Sequence, residues 1–152
     1  MSKKVLILSS SFRKGGNSDT LCDQFAMGAR DAGHAVEKIF LNDKHIGYCR
    51  GCGVCNTTHK CIQKDDMAEI LNKMVEADVI VMGTPVYFYS MNGQMKTLID
   101  RTVPRYEEIS GKEFYFVVAA ADSSHANMEK TLEAFRGFTN DCLPGATEKG
   151  VI

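Results

Sequence analysis

Apolar residues fall along this chain in short blocks with two different periods. Val5-Leu6-Ile7-Leu8 is apolar on both faces, as a central parallel strand requires, and Leu21, Cys22, Phe25, Ala26, Ala29 and Ala32 then recur at helical spacing as far as Gly33. Residues 35–41 are strand-like but more polar, which suits an edge. Residues 64–76 carry Met67, Ile70, Leu71, Met74 and Val75 on one helical stripe, with Asp65 or Asp66 near its start. A third strand over 78–82 is expected to end at Gly83-Thr84-Pro85, because proline interrupts the ladder. A helix over 91–103 turns Met95, Leu98, Ile99 and Thr102 inward. A charge-free strand runs over 114–121, and Ser123 or Ser124 caps a last helix with Met128, Leu132, Phe135 and Phe138 on one face. Residues 147–152 suffice for part of a fifth strand.

Strand and helix alternate throughout, which predicts an α/β fold with a parallel sheet covered on both faces, in a single domain over residues 1–152. In such a sheet every strand-to-helix loop lies at the carboxyl edge, where ligands bind as strand order reverses. The loops at 9–18, 84–92 and 121–124 therefore converge. The irregular loop over 42–63 joins them, because it follows the second strand, and loops of that length in compact domains are functional or disordered.

Composition narrows the classes of function. A chain of 152 residues, 44% apolar, can bury a sizeable core. The formal net charge of −1 gives no reason to expect nucleic-acid or anionic-membrane binding. Four strongly apolar residues after Met-Ser-Lys-Lys are too few for a signal-peptide core or a membrane span, so the expected location is cytoplasmic. Six cysteines in that compartment point to metal or redox chemistry before structural disulfides.

The opening loop, Ser-Ser-Ser-Phe-Arg-Lys-Gly-Gly-Asn-Ser over 9–18, joins the first strand to the first helix with hydroxyls, glycines and one arginine. A helix start offers unpaired N–H groups and the positive end of its dipole, so these residues can hold a phosphate, with Asn17 or Ser18 capping the helix. Tyr87-Phe88-Tyr89 alone reads as ordinary core. Placed directly after a strand end at the carboxyl edge, it reads instead as a wall for a flat aromatic ligand. Cys49, Cys52, Cys55 and Cys61 are spaced C-x2-C-x2-C-x5-C, so four thiolates within thirteen residues can wrap one cubane cluster, and Gly47, Gly51 and Gly53 let the loop bend. Cys61 is followed by Ile62, where the ferredoxin pattern has proline. Cluster, zinc, disulfide and empty loop all remain open. Cys22 reads as core, and the four histidines stand in no nucleophile–base arrangement.

The opening loop, together with Gly83-Thr84-Pro85-Val86-Tyr87-Phe88-Tyr89-Ser90-Met91-Asn92-Gly93-Gln94-Met95-Lys96, resembles the NADPH-dependent FMN reductase family of flavodoxin-like proteins over essentially the whole chain. The resemblance implies a doubly wound, five-stranded sheet of order 2-1-3-4-5 and a bound FMN. It implies a phosphate held by Ser9, Ser11, Arg13, Asn17 and Ser18, and a flavin ring lined by Pro85, Val86, Tyr87, Phe88, Tyr89 and Ser90. Asp122, from the third loop, is a further candidate for the flavin or a cap for the helix after it. The cysteine spacing resembles the iron-sulfur flavoprotein branch, in which a [4Fe-4S] cluster exchanges electrons with FMN. Similar cysteine loops also occur in relatives treated simply as flavin reductases.

G-x-G-x-x-G and the P-loop signature are absent, so NAD(P)H is expected to visit as a substrate over the flavin. The expected function is an FMN-dependent oxidoreductase passing electrons from NAD(P)H or another donor to a small-molecule or protein acceptor. The flavin carries the chemistry, and no side chain is assigned as general acid or base. A flavodoxin-type electron carrier and a cysteine-based metal or redox sensor are the alternatives. The fold ordinarily closes with a helix after the fifth strand, and the chain stops before one. The strip so exposed is expected to be buried in a homodimer or tetramer.

Overall fold

The computed structural model describes residues 1–152. Strands β1 (Lys4–Ser9), β2 (Ala35–Phe40), β3 (Val79–Tyr87), β5 (Glu113–Ala119) and β6 (Thr147–Val151) form one parallel sheet in the order β2-β1-β3-β5-β6, and a two-residue strand β4 (Ser90–Met91) folds back antiparallel on the end of β3. Numbering only the five parallel strands, this is the order 2-1-3-4-5 of a flavodoxin-like fold. The helices are α1 (Asn17–Asp31), α2 (Cys55–Thr58), α3 (Met67–Glu76), α4 (Gly93–Asp100) and α5 (His125–Cys142). No helix is long and apolar enough to cross a membrane.

Alternate residues of each central strand supply two cores, because successive side chains point to opposite faces. Leu6, Leu8, Ile80, Met82, Phe114 and Phe116 meet Ile70 and Met74 of α3, Met95 and Leu98 of α4, and Leu132, Phe135 and Phe138 of α5. Val5, Ile7, Val79, Val81 and Val117 meet Cys22 and Ala26 of α1 on the other face. Phe116 and Phe135 stack with ring centroids 4.7 Å apart, fixing α5 on β5. β2, paired on one side only, is the edge that its polar sequence predicts.

β5 ends at Ala119, two residues before the expected strand end, and the larger departures from expectation are five. β3 does not stop at Pro85 but runs to Tyr87. β1 pairs only as far as Gly83, so Pro85 lies where the strand is flanked on the β5 side alone and a missing N–H is tolerated. The helix expected over 91–103 is α4, shorter at both ends, because Met91 is drawn into β4. α3 begins at Met67 rather than Lys64, since Asp65 is held outside the helix by Arg101. Neither Asn17 nor Ser18 caps α1: Gly16 holds that position and Asn17 is already helical. The long loop is not wholly irregular, because a 3-10 turn (Leu41–Asp43) and the single turn of α2 interrupt it.

Candidate functional site

The opening loop is shaped from beneath by a buried carboxylate. Asp19, 2% exposed, accepts from Ser9 Oγ at 2.6 Å and from the Gly15 N–H at 2.9 Å, and pairs with Lys38 of β2 at 2.7 Å. Burial opposes the charge, but Lys38, Ser9 and Gly15 more than offset it and hold the carboxyl below its ordinary value. Ser11 Oγ donates to the Arg13 carbonyl at 2.7 Å, and Ser10 Oγ to the Gly83 carbonyl at 2.9 Å. With these bonds made, the first N–H groups of α1, at Asn17, Ser18 and Asp19, have no helical acceptor, as at every helix start. Ser18 is buried beside them, while Arg13 and Asn17 are exposed at the rim. The Ser9 hydroxyl is committed to Asp19, so Ser9 supports the cradle and does not open onto it. Asp19 was missed because an acid in a helix's first turn is unremarkable by sequence.

The second loop is fastened to the first by Asn92. Its Nδ2 donates to the Ser10 carbonyl at 2.5 Å, its Oδ1 accepts from the Met95 N–H at 3.1 Å as the cap of α4, and its own N–H donates to Thr84 Oγ1 at 3.1 Å. Between these anchors, Phe88 and Tyr89 form the two-residue turn between β3 and β4, with φ of 48° and 62°. Positive φ at both positions is the geometry of a tight hairpin turn that ordinarily selects glycine or asparagine. Bulky residues there store strain of the kind found at ligand clamps. The aromatic trio is not core. Phe88 is fully exposed, Tyr87 and Tyr89 are half exposed, and Lys130 lies over the Tyr89 ring at 4.7 Å. Pro85, Val86 and Ser90 are half-buried alongside. Asp122 accepts from the Ser124 N–H at 2.8 Å and from the Asn127 side chain, so it organises the start of α5.

All four clustered cysteines are free, and Cys49, Cys52, Cys55 and Cys61 line a single cavity of about 170 Å³. Gly51 and Gly53, at φ 60° and 74°, make the bends that bring them there. No three His, Cys, Asp or Glu side chains gather closely enough to hold one metal ion. A tetrahedral zinc site needs such convergence on a point, whereas in a cubane each thiolate meets a different iron. Four thiols on one cavity wall are a donor set that a cubane could use, one sulfur to each iron. Both ends of the loop are clasped to α4 by Arg101, whose Nη1 donates to the Gly47 carbonyl at 2.6 Å and to Asp65 Oδ2 at 2.7 Å, and whose Nη2 donates to Asp65 Oδ1 at 3.0 Å. Burial disfavours the Asp65 charge, but Arg101 and the N–H groups of Gly47 and Met67 outweigh it and lower its pKa. Sequence reading missed this pair. The available signal was the position of Arg101, three residues after Leu98 on the buried stripe of α4.

Parallel strand order, unpaired helix-start N–H groups at the first crossover and an aromatic turn at the second are the features of a flavodoxin-like α/β protein. The chain belongs to the NADPH-dependent FMN reductase family, whose model matches residues 3–138. It is 40% identical over 102 residues to an iron-sulfur flavoprotein of Archaeoglobus fulgidus, a match covering 67% of this chain and 46% of that one. It is 36% identical over 136 residues to an iron-sulfur flavoprotein of Methanocaldococcus jannaschii, covering 89% and 70%. The first match thus spans about half the length of that relative. An azoreductase from Bacillus anthracis superposes on all of this chain and 86% of its own, with a TM-score of 0.77 at 18% identity. An NAD(P)H:quinone oxidoreductase from Methanothermobacter marburgensis does so over 99% and 84%, with a TM-score of 0.75 at 16% identity. At those identities the shared property is the fold.

Proposed function

We propose that this chain is an FMN-dependent oxidoreductase that takes electrons from NAD(P)H and passes them to a small-molecule or protein acceptor, with a [4Fe-4S] cluster held by Cys49, Cys52, Cys55 and Cys61. The observation that carries the reading is the Asn92–Ser10 hydrogen bond, which fixes the helix-start donors of the opening loop against the aromatic turn after β3. One edge of the sheet thereby offers what a flavin mononucleotide needs at its two ends.

In this reading the N–H groups of Asn17 and Ser18, with the Arg13 guanidinium, hold the phosphate, while Ser11, its hydroxyl given to the Arg13 carbonyl, shapes the loop. Ser9 holds Asp19 and so keeps the loop in shape. Pro85 and Val86 supply backbone and apolar contact to the ring, Tyr87, Phe88 and Tyr89 close over it, and Ser90 lies at its edge. When bound, the flavin supplies hydride and single-electron chemistry. No side chain here is assigned to move a proton. Exposed Phe12, Tyr48, Phe88 and Tyr89 crowd the same loops, which supports assembly as a homodimer or tetramer over that edge. A stable monomer in analytical ultracentrifugation counts against the assembly.

The test is anaerobic purification followed by assay of FMN, iron and acid-labile sulfide on the same sample, with steady-state oxidation of NADPH. Stoichiometric FMN with four irons and four sulfides per chain is expected from the cubane. FMN without iron or sulfide removes the cluster and leaves the reductase. FMN without NADPH turnover leaves an electron carrier. Cys52→Ser is expected to abolish iron while sparing FMN.

A further inference from the structure

Arg101 is 2% exposed, and its Nη groups are engaged by Asp65 and the Gly47 carbonyl, yet its Nε–H is buried without any acceptor. A buried, unpaired donor on a charged group is rare in native proteins and calls for an explanation. The surroundings supply one. Arg101 lines the four-cysteine cavity and also a neighbouring cavity of about 470 Å³, and Cys61 is common to both. Arg101 and Cys61 thus stand in the wall shared by the two cavities. The bidentate contact to Asp65 prevents the guanidinium from turning its free edge elsewhere.

We propose that Arg101 is a positioning residue of the cysteine cavity, its Nε–H held as the hydrogen-bond donor to the Cys61 sulfur. The inference rests on the cluster reading above. Hydrogen bonds to cluster sulfurs are among the determinants of reduction potential, and a cationic donor favours the more negative, reduced state. A purely structural Arg101 would clasp Gly47 and Asp65 without touching that equilibrium. The two roles are therefore separable by a potential.

The experiment uses the full chain, reconstituted with iron and sulfide without oxygen, as wild type and as Arg101→Lys. Lysine keeps one positive charge and cannot hold both Asp65 and a sulfur. The expected result is a cluster reduction equilibrium shifted about tenfold toward the oxidised form, 59 mV for one electron, with the FMN couple in the same titration unmoved. An unchanged cluster potential overturns the proposal and leaves the cluster reading intact.

Should Arg101→Lys not fold, a chain that keeps Arg101 decides. With arginine labelled by ¹⁵N at Nε, in an Arg50→Lys background that removes the other arginine lining the cavity, pulsed EPR of the reduced protein is expected to show coupling to ¹⁵N. Absence of coupling overturns the proposal. Wild-type protein that holds neither iron nor sulfide after reconstitution overturns the cluster reading and this inference together.

Discussion

The Cys22 thiol on α1 fills the space that a side chain on Gly83 of β3 would need: a Cβ there would stand 2.3 Å from Sγ. Gly83 is also the residue whose carbonyl receives the N–H of Ser10 at 2.8 Å and its hydroxyl at 2.9 Å. One glycine thus sets both the approach of the helix and the exit of the opening loop. Gly83→Ala is expected to cost about 1–3 kcal/mol by overpacking. Cys22→Ala in the same chain removes Sγ and should restore much of the loss. Urea denaturation of the two single variants and the double variant measures it as a coupling energy.

Asp19 makes the opening loop sensitive to acid. Its folded pKa lies below the ordinary 3.8, so its stabilisation is fully present above that value and is lost as the pH falls through the lowered one. Asp65 adds a second contribution of the same sign. Asp19→Asn should be less stable than wild type at neutral pH, because Lys38 loses a buried partner, and its stability should fall less steeply in acid. Denaturant midpoints taken from neutral pH to below about pH 4 give both slopes.

Asn92 serves α4 through Oδ1 and the opening loop through Nδ2, and substitution can separate the two. Asn92→Ala removes both and is expected to cost about 2–4 kcal/mol. Asn92→Asp keeps the cap but sets an acceptor against the Ser10 carbonyl. It should retain more stability than the alanine variant while binding FMN more weakly, as seen in thermal melts beside a flavin-fluorescence titration.

In the proposed reading the Phe88-Tyr89 turn trades stability for a ligand wall. Replacing the pair by Asn-Gly relieves positive φ at two bulky residues, each costing about 1–3 kcal/mol. The double variant is expected to melt at a higher temperature than wild type and to bind FMN more weakly. A lower melting temperature would mean that the turn carries no strain.

How far the sequence disclosed this molecule depends on the range of the interaction concerned. Val5 to Leu8 announce a central strand because both faces are apolar, and the stripe of α3 is equally plain, since each pattern lies within a few residues. Pro85 misleads because its effect depends on where β1 stops pairing, which is a fact about another strand. The hairpin at Phe88 and Tyr89 carries no turn-forming residue, so only the backbone reveals it. Asp19 with Lys38, and Asp65 with Arg101, are partners nineteen and thirty-six residues apart along the chain. Their charges look like ordinary surface positions until the sheet closes around them.

The account stands on a phosphate seat at the start of α1, and titration calorimetry of flavin-free protein with FMN and then with riboflavin tests it most directly. The predicted result is one FMN per chain, with riboflavin binding more than about tenfold more weakly, since even one charge-assisted hydrogen bond to the phosphate is worth that factor. Equal affinity for the two, or no heat with FMN, would contradict it.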